Sequence, residues 1–189
     1  MRNNRKNPAG VPGLDTLQPT AKDDKQMIRV IIETPKGSRN KYAYNPDDHT
    51  FELKKVLPAG MVFPYDFGFV PSTLAEDGDP IDVLVLMDDS AFPGCVLKAR
   101  IIGVIEGEQD GDDGKMRNDR IVAIEKSNHS FADVTEIRDL GKRFTRELEE
   151  FFVNYHELSN EKYKVLGVKD IDRAFKLLKQ CEKAVRSAA

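Results

Sequence analysis

Cysteine is nearly absent. Cys95 and Cys181 are the only two in 189 residues. They stand far apart with no metal-ligand spacing, so they fit a reducing cytoplasm better than a disulfide framework. Net charge is also small, at −3. No global basic field therefore argues for nucleic acid or an anionic membrane as partner. No apolar run approaches the roughly 18 residues that a membrane span requires. Residues 1–26 are basic, but no apolar stretch of signal-peptide length follows, and their Pro, Gly and Asn content predicts a flexible arm. Repeats and low-complexity tracts are missing. So are a G-x-x-x-x-G-K-[ST] phosphate loop, a G-x-S-x-G turn and any paired Cys/His arrangement.

What remains suits one domain, residues 27–189, with a core of respectable size. IRVIIET (28–34) is β-branched and reads as a strand. KYAY (41–44) and FELKKV (51–56) flank the turn formers of NPDDHT, which predicts a hairpin. Three prolines and two glycines among aromatics make 57–73 compact and irregular. IDVLVLM (81–87) reads as a strand buried on both faces. Residues 93–108 give another long strand, broken near Gly103, followed by a polar loop over 109–119. RIVAIEK (120–126) closes a hairpin with that strand. Apolar residues then recur at helical spacing from Leu140 through Phe144, Leu148 and Phe152 to Tyr155. A second helix begins near Asp170, a plausible N-cap, with Ile171, Ala174, Phe175, Leu178, Cys181 and Val185 on one face. Many short strands before two helices indicate an α+β fold, most simply a small β-barrel with helices packed outside.

EDGDPIDVLVL (76–86) places Asp77, Asp79 and Asp82 within six residues. Carboxylates this close oppose one another's ionisation unless a positive charge sits among them. A solvated turn ahead of a strand is the plainer reading. Against it, Pro80 forbids helix and Gly78 allows close backbone approach, so the segment can fold tightly around an ion. Asp77 and Asp79 can share a side, whereas Asp82 joins them only through a bend near Pro80. Oxygen ligands favour Mg²⁺, Mn²⁺ or Ca²⁺ over zinc. An EF-hand is a poor match, since Asp82 would stand at the glycine position of its loop. Glu33, Lys41, Lys54, Lys55, Tyr65, Arg120 and Tyr155, with a second acidic island at 110–113, supply the groups that metal-assisted chemistry on a phosphate needs. Singly, each is more often a surface charge or a packed aromatic.

At DGDPIDVLVL the chain resembles the soluble, Mg²⁺-dependent inorganic pyrophosphatases of family I. Its Asp-x-Asp-Pro-x-Asp-Val pattern is that family's signature, and IIETP, FPYDFGFVPSTLAEDGDP and FFVNYHEL follow the family's order. The resemblance spans roughly residues 28 to 165. It implies a five-stranded OB-like barrel that hydrolyses pyrophosphate to two orthophosphates with roughly three or four Mg²⁺ ions, Mn²⁺ being a possible substitute. It also implies that Asp77 and Asp82 ligate the tightest metals, Asp79 orients or deprotonates the attacking water, and Glu33 holds a further metal. Lys41, Lys55, Arg120 and Tyr155 would contact phosphate oxygens. Asp113 and Asn118 would complete the metal ligands, with Asp119 as the alternative to Asn118. The chain departs from the family pattern at Ala43 (glutamate), Lys55 (arginine), Phe67 (tyrosine), Asn118 (aspartate), Arg120 (lysine) and His156 (lysine). Family membership implies a homo-oligomer, a hexamer or a dimer. Two rival readings stand beside it: a degenerate, non-catalytic OB-like binding module, and a metal phosphohydrolase acting on other diphosphates.

Overall fold

The computed structural model describes residues 13–21, 24–111, 114–158 and 162–188. In chain order its elements are β1 (Thr20–Ala21), β2 (Asp24–Thr34), β3 (Asn40–Asn45), β4 (Thr50–Val56), β5 (Asp66–Phe69) and β6 (Asp82–Leu86). Then come β7 (Val96–Gly111), β8 (Gly114–Arg117), β9 (Arg120–Glu125), α1 (Gly141–Glu157), β10 (Tyr163–Lys169) and α2 (Ile171–Ala188). Strands β2, β5, β6, β9 and β7 pair in that order, and a further pairing of β2 with β7 closes the ring. Only β6 and β9 run parallel within it. A ring of five strands flanked by helices is the expected α+β architecture.

Strand alternation builds the core on both faces of the sheet. Val83, Val85, Ile121 and Ala123 join one apolar cluster, where α2 contributes Ala174, Leu178 and Cys181. Leu84, Leu86, Val122 and Ile124 join the other, where α1 contributes Leu148, Phe152 and Tyr155. IDVLVL is thus buried on both faces, as its unbroken apolar run implies. Asp170 does cap α2: its carboxylate accepts the Arg173 backbone N–H at 3.0 Å. Both cysteines are free. Among the described residues, no helix is long and apolar enough to cross a membrane.

Four expectations need correction. The 57–73 segment is not wholly irregular, because DFGF forms β5 inside the ring. The long strand is not broken near Gly103; β7 runs on for 16 residues and absorbs a bulge there against β9. Part of the polar loop is the short strand β8, folded back on the end of β7. Finally, the expected arm is partly folded. Residues 14–16 form a turn of 3₁₀ helix, β1 pairs with β2, and β2 itself begins at Asp24. β10, between the helices, pairs with β7 and has no counterpart in the sequence reading.

Candidate active site

The site grows from three pieces of local structure. The first is the β3–β4 hairpin, which forms its own two-stranded sheet. Its register sets Lys41 directly opposite Lys55, and directly opposed side chains of an antiparallel pair share a face. Two like charges so placed repel unless something between them compensates. Tyr155 of α1 supplies part of this, with Lys55 Nζ 4.5 Å and Lys41 Nζ 5.7 Å from its ring centroid. Glu33, at the end of β2, supplies more. Its carboxylate accepts the Tyr44 backbone N–H at 2.8 Å and so ties the hairpin to the ring. Burial alone would depress the Lys41 pKa, but Tyr155, Asp82 and Glu33 together hold it above its ordinary value.

The second piece is the loop from Val70 to Ile81. It is closed at its base by the Val70 N–H donating to the Ile81 carbonyl at 3.0 Å. The buried Thr73 hydroxyl donates to the Val70 carbonyl and accepts the Ile81 N–H. At the tip, the Asp79 N–H donates to an Asp77 carboxylate oxygen at 3.3 Å, and the Ala75 N–H donates to the Asp79 carbonyl. Gly78 takes φ +88° here, the left-handed region that a side chain disfavours. The chain then turns at Pro80 and delivers Asp82 as the first residue of β6.

The third piece is Arg120, first residue of β9, in register with Asp82 on the parallel β6. Its guanidinium is sandwiched between Phe152 and Tyr163, at 4.2 and 4.8 Å from their centroids. One terminal nitrogen donates to the Asn118 carbonyl. The other lies 3.1 Å from His156 Nε2. Arginine can only donate, so that imidazole nitrogen is the acceptor and carries no proton. Arg120 Nε sits 3.7 Å from Asp82 Oδ2. Two departures from the family pattern, Arg120 and His156, therefore touch one another.

These pieces enclose a cavity of about 520 Å³. Glu33, Asp77, Asp79 and Asp82 line it, facing Lys41, Lys55, Tyr155, Asn118 and Arg120. Burial raises the Glu33 pKa to about 7 and the Asp77 pKa to about 6, with the neighbouring carboxylates adding to both. Burial also raises Asp82, partly offset by Arg120 and Lys41. A cavity that strains against ionising its own carboxylates favours a cation among them. Among the described residues, no three acidic, histidine or cysteine side chains converge closely enough to chelate one ion unaided. The donor set fits Mg²⁺ nonetheless. That ion keeps several waters and takes one or two carboxylates plus substrate phosphates.

Not every candidate arrives. Asp119 is turned away: it accepts bidentate bonds from Arg117 at 2.8 and 2.9 Å and the Gly107 N–H at 3.0 Å, and it lines a different cavity, beside α2. Asn118, its neighbour, does face the site, with its side-chain nitrogen donating to Gln109. Asp113 lies outside the described residues. One lining residue, Asp15, comes from the expected arm and carried no signal in the sequence.

The comparisons with known proteins agree with this geometry. A family profile described as inorganic pyrophosphatase matches residues 30–186. The inorganic pyrophosphatase of Synechocystis sp. is 41% identical over 157 residues, covering 83% of this chain and 90% of that protein. That of Nostoc sp. is 39% identical over 160 residues, covering 85% and 92%. Among solved structures, the inorganic pyrophosphatase of Thermus thermophilus superposes with a TM-score of 0.84 at 31% identity, covering 93% of this chain and 99% of that one.

Proposed function

Because the chain belongs to the inorganic pyrophosphatase family, and so hydrolyses pyrophosphate to two orthophosphates, we propose that the cavity between the β3–β4 hairpin and the 70–81 loop is where it does so. The observation that carries this reading is one cavity lined by carboxylates together with lysines, an arginine and a tyrosine. Pyrophosphate is small, strongly anionic and nearly without apolar surface, so charge must supply its binding. The family's dependence on divalent metal, generally Mg²⁺, meets that need. Bound Mg²⁺, roughly three or four ions, would neutralise the diphosphate and lower the pKa of the attacking water.

The remaining work falls to side chains. Asp77, Asp82, Glu33 and Asn118 would hold the metal, with Asp113 completing the set. Asp79, exposed at the loop tip, takes or orients the proton of the attacking water. Lys41, Lys55 and the Tyr155 hydroxyl grip phosphate oxygens and stabilise charge building on the leaving phosphate. Arg120 serves from below, since it is only 3% exposed and packed between two rings, with its Nε 3.7 Å from Asp82 so that its charge favours the Asp82 carboxylate. The reading extends to a homo-oligomer of the cytoplasm. Free cysteines support the compartment, and exposed Phe92, Leu53 and Val56 offer apolar surface for a second copy.

Phosphate release from pyrophosphate with titrated Mg²⁺ tests the assignment. Wild type should turn over only with the metal. Asp79→Asn should lose about 10²- to 10⁴-fold in kcat while melting at the wild-type temperature, because Asp79 is exposed. An unimpaired Asp79→Asn enzyme would remove Asp79 from its role. Inactivity toward pyrophosphate would favour the non-catalytic binding module, and preference for another diphosphate the broader phosphohydrolase.

A further inference from the structure

The segment before β1 crosses the rim of the cavity. On one side the Leu14 N–H donates to the Tyr44 hydroxyl at 3.3 Å, and that hydroxyl lies 2.7 Å from His49 Nδ1 in the hairpin turn. The Tyr44 ring is itself stacked on Phe69, 6.0 Å between centroids, so this anchor is firm. On the other side the Ser72 N–H donates to the Asp15 carbonyl at 2.7 Å. Ser72 belongs to the loop that carries Asp77 and Asp79. Residues 13–17 thus tie the hairpin to the loop that carries Asp77 and Asp79, and Asp15 becomes part of the cavity lining, with its Oδ1 buried beside Gly13.

The two ends of the cavity differ. Glu33 and Arg120 close the deep end, at 9% and 3% exposure, whereas Pro46, Lys54 and Asp79 at the mouth are exposed. A substrate longer than two phosphates, or esterified on one of them, must run its extension out through the mouth. Asp15, half-buried, lines the same cavity. Lys54, exposed in the same lining, is already paired with Glu52 at 2.6 Å, so it offsets the Asp15 charge only in part.

We propose that residues 13–17 form a strap across the mouth and that the Asp15 carboxylate is a specificity determinant, favouring free pyrophosphate over longer or esterified polyphosphates. The inference rests on the pyrophosphatase reading of the cavity. The repulsion acts on the extension alone, so it separates substrates without bearing on the attacked anhydride. A unit charge a few ångströms from a phosphate at a solvated rim is worth about a fivefold change in rate constant.

The test compares kcat/KM for pyrophosphate, tripolyphosphate and ATP in the full chain, at one Mg²⁺ concentration. Asp15→Asn removes the charge and keeps the shape. Gly13→Val keeps the Asp15 residue but crowds its carboxylate out of place. A Cβ at Gly13 would stand 2.5 Å from Asp15 Oδ1 and 2.7 Å from His49 Cε1. Both variants should raise the ratio of tripolyphosphate or ATP to pyrophosphate by about fivefold or more, with Asp15→Glu restoring the wild-type ratio. An unchanged ratio in Asp15→Asn overturns the proposal, as does an equal loss toward all three substrates, which would mark the strap as structural. A wild type inert toward pyrophosphate would fell the functional reading itself. Activity with unaltered selectivity would fell this inference alone.

Discussion

Arg120 shows how one buried cation can organise a site whose floor it lines. Its planar guanidinium stacks between two rings and still reaches Asp82 and His156. A flexible ammonium could not fill that slot and satisfy both partners. Arg120→Met keeps the bulk but leaves Asp82 and His156 uncompensated. Breaking a buried pair from one side costs about 3 kcal/mol, so the melting temperature should fall by roughly 6–12 °C. If Arg120 and His156 are coupled, Arg120→Met, His156→Leu and the double variant should depart from additivity by about 0.5 kcal/mol or more. Additive effects would show the contact to be incidental. The sequence announced the residue types here but not their partners. Asn118 and Asp119 make the same point from the other direction. They are neighbours in the chain, yet one faces the carboxylate-lined cavity and the other a cavity beside α2.

At the level of elements, the ring depends on one close backbone approach. Gly68 of β5 lies where a Cβ would stand 2.0 Å from the Ile31 carbonyl oxygen and 2.9 Å from Ile32 Cα. Those are backbone atoms of β2 and cannot rotate aside. Gly68→Ala should therefore cost about 3 kcal/mol or more in chemical denaturation. A wild-type midpoint would mean that the β2–β5 seam can open at no cost. This strand also shows why part of the fold escaped the sequence. Asp66, Phe67, Gly68 and Phe69 are all buried, so β5 has no alternation to read. IDVLVL was legible because an unbroken β-branched run has few alternatives, and α1 and α2 because their apolar residues recur at helical spacing. β10 holds a glycine and mixes buried with exposed positions without a clean period. The 3₁₀ turn at Leu14–Thr16 offered only a lone aspartate among Pro and Gly, and its role exists only through Tyr44 and Ser72, far along the chain.

Over the whole molecule, stability and metal binding are linked through the cavity's carboxylates. Burial holds Glu33 near 7 in the folded chain, against an ordinary value of 4.5 when unfolded. A carboxyl raised on folding contributes stability that is full below its unfolded pKa and is lost as pH rises through the folded one. Without metal, Glu33 therefore makes the protein progressively less stable between about pH 4.5 and 7, by about 3 kcal/mol once fully ionised. Comparing wild type with Glu33→Gln in chelator cancels the other titrating groups. The variant should match wild type at pH 4.5 and melt higher at pH 8, and Mg²⁺ should erase that advantage. A difference independent of pH would contradict the assignment. The central claim, that these carboxylates gather cations and so convert an acidic cavity into a receptor for a polyanion, is tested most directly by calorimetric titration of Mg²⁺ without substrate. Wild type should show saturable binding that weakens by about tenfold or more in Asp82→Asn and in Asp77→Asn. Identical isotherms for all three proteins would contradict it.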